Sequence, residues 1–261
     1  MSDESAERDL DWVTPFLALP HVHSFRGPSC VALGDPDAQI GPKYLALDAV
    51  DLMCSSIDEV AMANFLKHAP RLKRLYYSHQ TKENGGPRDW HLCGFISAIE
   101  REAGSRLEEL SICILELHGS IKCGKVSMRG FTRLQKLELP LEAAMCNIDR
   151  AKIRSQLMGD EPGYLDSFLG DIVPASVSEL SFLSWGMENQ DLALSAMFSD
   201  FAAKKKSQVP ALREIHLSCR SSAEDAYKEQ CTELAAETKK AGVELDLTVW
   251  PTPIFDWGEG W

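Results

Sequence analysis

The sequence predicts an α/β solenoid, in which short parallel strands stack side by side and helices or loops connect them. The main observation is a recurring pattern: one apolar residue, two variable residues, an apolar residue, one variable residue and an apolar residue. Its clearest copy is the run from Leu134 to Leu139. Such alternation buries every second side chain, as a strand in a stacked repeat does. The second observation is that several copies are followed by a stretch with helical periodicity.

Eight copies of the pattern are recognisable along the chain. Their middle apolar residues, which we call the markers, are Phe25, Val50, Leu75, Leu110, Leu137, Leu180, Ile215 and Leu245. The spacing between successive markers varies, and the extra residues fall in loops and helices, where insertions are tolerated. If the copies are parallel strands, we expect the eight markers to lie in one row.

The stretches after the second and third copies predict helices with recognisable ends. The run from Ser56 to Glu59 has the form of a capping box and opens a helix that stops before Pro70. Asp89 is expected to cap the next helix, and Gly104 is expected to end it.

The C-terminal half predicts two longer helices. One is expected to start at Asp191 and to run without a break to the basic residues 204–206, which suit a helix C-terminus. The other starts from a second capping box, residues 222–225, and ends at Gly242. Before them, residues 141–175 form the longest irregular insertion.

Composition restricts the class of partner. The chain has 261 residues, 27 of them basic and 39 acidic, with a net charge of -12. This charge disfavours binding to the nucleic-acid backbone, which requires a positive footprint, and suits a basic protein partner. The eight cysteines form no CxxC pair, and the acidic N-terminus has no apolar run of the kind found in signal peptides. We therefore expect an intracellular protein, cytoplasmic or nuclear, with reduced cysteines in its core.

Three stretches share one arrangement, in which Pro or Gly and then a basic residue precede Leu-x-x-Leu. They are residues 65–75, 104–110 and 130–137. In this respect the chain resembles irregular leucine-rich-repeat proteins, and most closely the fungal F-box and leucine-rich-repeat-like group. The resemblance implies a leucine-rich-repeat-like solenoid, with parallel strands on the concave face and helices outside, that presents a curved surface to a client protein. The F-box and the family's Asn or Cys after the third apolar position are both missing, so a ubiquitin-ligase adaptor role is not implied.

The resemblance covers residues 16–250, which divides the chain into three parts. Residues 1–15 are an acidic segment expected to be frayed, 16–250 are the repeat domain, and 251–261 are an aromatic tail. Trp257 and Trp261 in the tail are expected to cover the open core of the last repeat, since terminal repeats need capping. The alternative is that they form an aromatic peptide offered to another protein.

The residues that flank each marker are expected to face solvent on one surface of the sheet. The column before the markers reads Ser24, Ala49, Arg74, Glu109, Lys136, Glu179, Glu214 and Glu244. The column after the markers reads Arg26, Asp51, Tyr76, Ser111, Glu138, Ser181, His216 and Asp246. The candidate partner-binding residues are Arg74, Tyr76, Glu109, Lys136, Glu138, Glu179, Glu214, His216, Glu244 and Asp246.

Charge changes along these columns. Arg74, Glu109, Lys136 and Glu179 alternate in sign and can pair, whereas only acidic residues follow in the first column. Like charges opposite each other across strands are destabilising, so a basic partner that docks there would relieve the repulsion. The alternative is that these glutamates are simply solvated, because salt screens charges over about 8 Å.

The sequence predicts no enzyme, no cofactor and no metal site. Residues 119–126 resemble a phosphate-binding loop, but Val126 stands where a hydroxyl is needed for magnesium. His21 and His23 offer two metal ligands without a third. The runner-up function is a hydrolase or transferase with its site in the 141–175 insertion, for which the acidic candidates are Asp149, Asp160, Glu161 and Asp166.

Overall fold

The structure is a computed structural model of the chain. It describes residues 8–35, 43–82, 89–122, 124–148, 168–184, 190–220 and 225–250. Within these ranges the chain forms an α/β fold, in which ten strands make one parallel sheet and helices connect many of them. The predicted fold class is confirmed at this level.

The strands and helices follow one another along the chain, and their bounds are as follows. The strands are β1 (Arg8–Asp9), β2 (Ser24–Pro28), β3 (Cys30–Ala32), β4 (Ala49–Ile57), β5 (Arg74–Gln80), β6 (Glu109–Glu116), β7 (Lys136–Pro140), β8 (Glu179–Leu183), β9 (Glu214–Arg220) and β10 (Glu244–Trp250). The helices are α1 (Thr14–Leu17), α2 (Glu59–His68), α3 (Leu92–Ala103), α4 (Leu141–Met145), α5 (Leu169–Ile172), α6 (Gln190–Met197), α7 (Phe201–Gln208) and α8 (Asp225–Lys240). From β4 to β10 each strand pairs with the next one in the chain, and β2 and β3 both pair with β4.

The eight markers lie in one row across the sheet. Phe25 pairs with Val50, and the pairing continues marker by marker through Leu137 to Ile215 and Leu245. The two flanking columns have the same register, so the predicted pairing of all eight copies is confirmed. A shift of one residue would have moved every marker to the opposite face, because side chains alternate with a period of two.

The two faces of the sheet differ in exposure. The six inner markers are buried, whereas Phe25 and Leu245 at the two ends are half-buried. None of the sixteen flanking residues is buried. Parallel sheets are usually covered on both faces, so a parallel sheet with one face open to water is the distinguishing feature of this fold.

The N-terminal segment is more ordered than the sequence predicts. Arg8 and Asp9 form β1, which pairs in parallel with β3. Leu10 and Leu17 are only 4% and 1% exposed and belong to the core. The expectation that the segment before residue 15 is frayed is therefore wrong for residues 8–15, because these apolar side chains have a buried surface to join.

The first two predicted helix caps are wrong in detail. β4 continues to Ile57, and Asp58 caps α2 by accepting a hydrogen bond from the Ala61 N–H at 2.7 Å. Asp89 does not cap α3; it accepts hydrogen bonds from the backbone and hydroxyl of Ser120 at 3.0 Å. Both carboxylates satisfy backbone donors, but tertiary contacts decide which ones.

The helix predicted from Asp191 is broken in two. Asp200, between α6 and α7, has φ 54°, a left-handed conformation that interrupts the helical path. The chain can therefore turn there while Phe198 and Phe201 remain buried on its two sides. The second helix of this half is present as α8, and Tyr227, Cys231, Leu234 and Thr238, which the sequence places on one side of it, are buried.

Candidate partner-binding face

The exposed side of the sheet is formed by the sixteen flanking residues, and we call it the open face. Successive strands place these residues opposite one another in two columns. Neighbours in one column are about 4.8 Å apart along the hydrogen-bonding direction, so adjacent charges interact. All ten residues predicted to bind a partner lie on this face.

The acidic residues of the open face from β4 to β8 each have a partner. The Arg26 Nε lies 2.7 Å from an oxygen of Asp51. The Ser111 hydroxyl donates to Glu138 at 2.8 Å, and the Lys136 Nζ lies 2.6 Å from Glu179. These contacts join neighbouring strands, and the two ion pairs neutralise Asp51 and Glu179.

Glu109 also has a partner, but not the predicted one. Its carboxylate accepts a hydrogen bond from the Tyr76 hydroxyl, and no ion pair joins Arg74 to Glu109 among the described residues. Partial burial and this hydrogen bond to Glu109 raise the pKa of Tyr76 to about 12. The expected Arg74–Glu109 pair is therefore replaced by a diagonal contact, since the ring reaches across the strands.

Three acidic residues at the other end of the face differ from the rest. Within the described ranges, neither Glu244 nor Asp246 has an ion pair, although the Thr248 hydroxyl donates to Asp246 at 3.3 Å, and the nearest basic group to Glu214 is the His216 Nε2, at 3.7 Å. Glu214 and Glu244 are directly opposite each other in register. We call Glu214, Glu244 and Asp246 the acidic end of the open face. Glu179 precedes Glu214 in the same column but does not belong to the acidic end, because it forms an ion pair with Lys136.

The acidic end lies beside the last strand of the sheet. Leu245 and Leu247 of β10 are half-buried, whereas the corresponding Ile215 and Leu217 of β9 are fully buried. Val249 and Trp250 are 46% and 55% exposed. The repeat core is thus open at β10. The tail expected to cover it, residues 251–261, lies outside the described residues.

A buried polar cluster lies elsewhere, at the ends of β4 and β5, and sequence reasoning missed it. The Tyr77 hydroxyl lies 3.1 Å from the Ser55 carbonyl oxygen and 3.0 Å from the Nδ1 of His79. The imidazole of His79 stacks on Trp90 with 4.1 Å between ring centres, and its Nε2 has no partner. Desolvation lowers the pKa of His79 to about 4, so this imidazole is neutral at physiological pH.

Glu142 is the other unpredicted polar group. It lies in α4, is 3% exposed, and neither carboxylate oxygen has a hydrogen-bond partner. Burial raises the pKa of Glu142 to about 7. In the sequence it follows Pro140 and Leu141 within an apolar run, where a single acidic residue is indistinguishable from a surface position.

The described residues give little support for a catalytic site or a metal site. They contain no group of three or more His, Cys, Asp or Glu side chains placed to hold a metal ion. Asp149, Asp160, Glu161 and Asp166 of the runner-up enzyme site lie outside the described residues. Among the described residues, no helix lies between the 119–126 loop and β7, and the Val126 N–H donates to the Asn147 side-chain oxygen at 2.6 Å.

Two further observations concern the length of the apolar helices and the cysteines. Within the part of the chain that the structure describes, no helix is both long and apolar enough to cross a bilayer. Of the cysteines in these ranges, Cys30, Cys93, Cys219 and Cys231 are buried, as expected of core residues. In comparisons with protein-family models, curated proteins and solved structures, nothing matches this chain.

Proposed function

We propose that this chain is a leucine-rich-repeat-like solenoid that acts as a non-catalytic protein-interaction module. In this proposal the open face is the concave face, the helices lie outside, and the acidic end receives a basic region of the partner. One observation carries the proposal. A parallel sheet leaves a whole face open to water, and Glu214, Glu244 and Asp246 lie together at one end of that face, with no lysine or arginine among the flanking residues of β9 and β10.

The charge arrangement supports a basic partner over a neutral one. Glu214 and Glu244 face each other across β9 and β10, and Asp246 lies beside them. Like charges placed opposite each other in this way are unfavourable in the free protein. A partner that brings lysine or arginine side chains removes this repulsion as it binds, and charge complementarity also accelerates encounter. The net charge of -12 adds to the same attraction.

The test compares two triple variants with the same change in charge. In the face variant, Glu214→Gln, Glu244→Gln and Asp246→Asn remove the acidic end. In the control variant, Glu229→Gln, Glu233→Gln and Glu237→Gln remove three exposed acids of α8. Affinity purification with quantitative mass spectrometry should recover a partner with the wild type and the control, and lose most of it with the face variant. Equal recovery with both variants would show that the acidic end does not bind that partner.

The runner-up function, a hydrolase or transferase, gains no support from Glu142. A perturbed carboxylate is a candidate acid or base when it lies in a cleft that substrate can reach. Glu142 instead lies in a helix whose residues Leu141, Ala143 and Ala144 are all buried as well. Its raised pKa therefore reflects enclosure within the core.

A further inference from the structure

The outer edge of β10 has backbone groups in position to pair with another strand. The Glu244 N–H donates to the Arg213 carbonyl oxygen at 2.8 Å, so the backbone of Glu244 faces β9. β10 pairs with β9 residue by residue without a bulge. Because backbone direction alternates along a strand, the N–H and C=O groups of Leu245, Leu247 and Val249 point away from β9. Among the described strands, none pairs with this outer side.

The charged residues of β10 itself are all acidic. β10 contributes Glu244 and Asp246, contains no basic residue, and has Glu214 of β9 next to it. Native proteins usually protect an exposed edge with lysine, proline or a bulge. β10 has none of these over its seven residues, so the edge is open to a strand that carries positive charge.

We propose that a basic, extended segment of the partner protein adds to the outer edge of β10 as a further strand of the sheet. Its backbone pairs with Leu245, Leu247 and Val249, and its lysine or arginine side chains lie beside Glu244 and Asp246. This is strand addition, in which main-chain hydrogen bonds contribute affinity and alternate side chains contribute specificity. The inference rests on the proposed function, and it specifies how the partner binds at the acidic end.

Charge favours a basic segment of a partner over two other strands that could pair with this edge, namely the C-terminal tail and β10 of a second copy of the chain. The tail, residues 251–261, contains Asp256 and Glu259 and no lysine or arginine. Pairing it along β10 would place further negative charge beside Glu244 and Asp246. A second copy of the chain would contribute another β10, which carries the same two acids and no base. Only a basic segment adds a strand and also neutralises the acidic end.

The test uses a defined probe, a nine-residue peptide in which lysine alternates with valine, and a control peptide with glutamate in place of lysine. We expect the full chain to bind the lysine peptide, with amide exchange at Leu245, Leu247 and Val249 slowed about tenfold or more at saturation. The glutamate peptide should not bind. Absence of binding by the lysine peptide, or binding without slower exchange at these three amides, would overturn the proposal.

Substitutions at one edge residue separate strand pairing from simple charge attraction. Val249→Pro removes an outward N–H and leaves the bonds to β9 in place, as proline is tolerated on that side of an edge strand. We expect it to weaken peptide binding roughly fivefold relative to Val249→Ala, the loss of about one backbone hydrogen bond. Equal affinities for the two variants would refute edge pairing. The proposed function would still stand if the face variant, but not the α8 control, lost the peptide.

Two further experiments would detect the tail or a second copy of the chain at the edge of β10. If deletion of residues 251–261 speeds amide exchange at Leu245, Leu247 and Val249 in the free protein, the tail already occupies the edge. If sedimentation detects a dimer that Val249→Pro dissociates, a second copy occupies it. Either result would overturn the inference.

Discussion

The Lys136 Nζ lies 2.6 Å from Glu179 on the next strand, and this pair marks where the charge balance of the open face changes. The carboxylate of Glu179 raises the pKa of Lys136. On one side of the pair, each acid of the face has a basic or hydroxyl partner. On the other side, Glu214, Glu244 and Asp246 remain as the acidic end.

The first prediction tests this division. Glu214→Gln with Glu244→Gln should raise the free energy of unfolding by about 0.5 kcal/mol, because two like charges directly opposite each other are removed. Adding Glu179→Gln should give no further gain, since it also removes the partner of Lys136. Chemical denaturation at low salt measures both changes. The gain should shrink in 1 M salt, and a gain that persists there would have a different cause.

The second prediction concerns pH and the two buried groups. The pKa of His79 is about 4 in the folded chain and about 6.5 when unfolded, so its contribution to stability is lost as pH falls from 6.5 to 4. The pKa of Glu142 is about 7 when folded and 4.5 in its ordinary state, so its contribution is lost as pH rises from 4.5 to 7. Each group changes the free energy of unfolding by about 3 kcal/mol at most over its pH range. The two changes have opposite signs, so they largely cancel in the wild type.

Single variants should uncover the two opposed effects. His79→Phe keeps a ring against Trp90 and removes the titration, so stability should fall as pH rises from 4.5 to 7. Glu142→Gln should give the reverse slope. Urea denaturation at intervals from pH 4 to 8 measures both profiles, with exposed His21→Gln as the control for loss of a histidine. Parallel profiles for the wild type and the two core variants would contradict the prediction.

The third prediction separates two possible caps of α2. Asp58 accepts from the Ala61 N–H and from the Gly34 N–H, whereas the Ser56 hydroxyl is buried without a partner. Asp58→Ala should cost about 1–2 kcal/mol of stability. Ser56→Ala should be neutral or slightly stabilising, because it removes an unsatisfied hydroxyl. Thermal denaturation of the two variants decides between them, and a larger loss for Ser56→Ala would restore the capping box read from the sequence.

Much of the fold could be predicted because one pattern recurs eight times. Each copy specifies which side chains are buried, and a strand in the wrong register would bury charges such as Lys136 and Glu138. The N-terminal strands could not be predicted in this way. Arg8–Asp9 and Cys30–Ala32 are two and three residues long, too short to show a period, and they form strands because a neighbouring strand pairs with them.

The candidate site was predictable as a set of positions but not as a distribution of charge. The flanking columns follow from the period of two, so all ten predicted residues lie on the open face. Which partner each acidic residue contacts depends on how far the side chains extend across neighbouring strands. The Lys136–Glu179 pair is one that the column allows, whereas the hydrogen bond from Tyr76 to Glu109 replaces the expected Arg74–Glu109 pair.

The sequence alone determined the strand register and the two faces of the sheet, because apolar alternation is a local property with a large energetic consequence. Only the tertiary structure decided the break at Asp200, the cap at Asp58, the burial of His79 and Glu142, and the side-chain partner of Glu109. Each of these features depends on contacts between groups that are far apart in the sequence. Tertiary packing decides such contacts, and the periodicity of the sequence does not predict them.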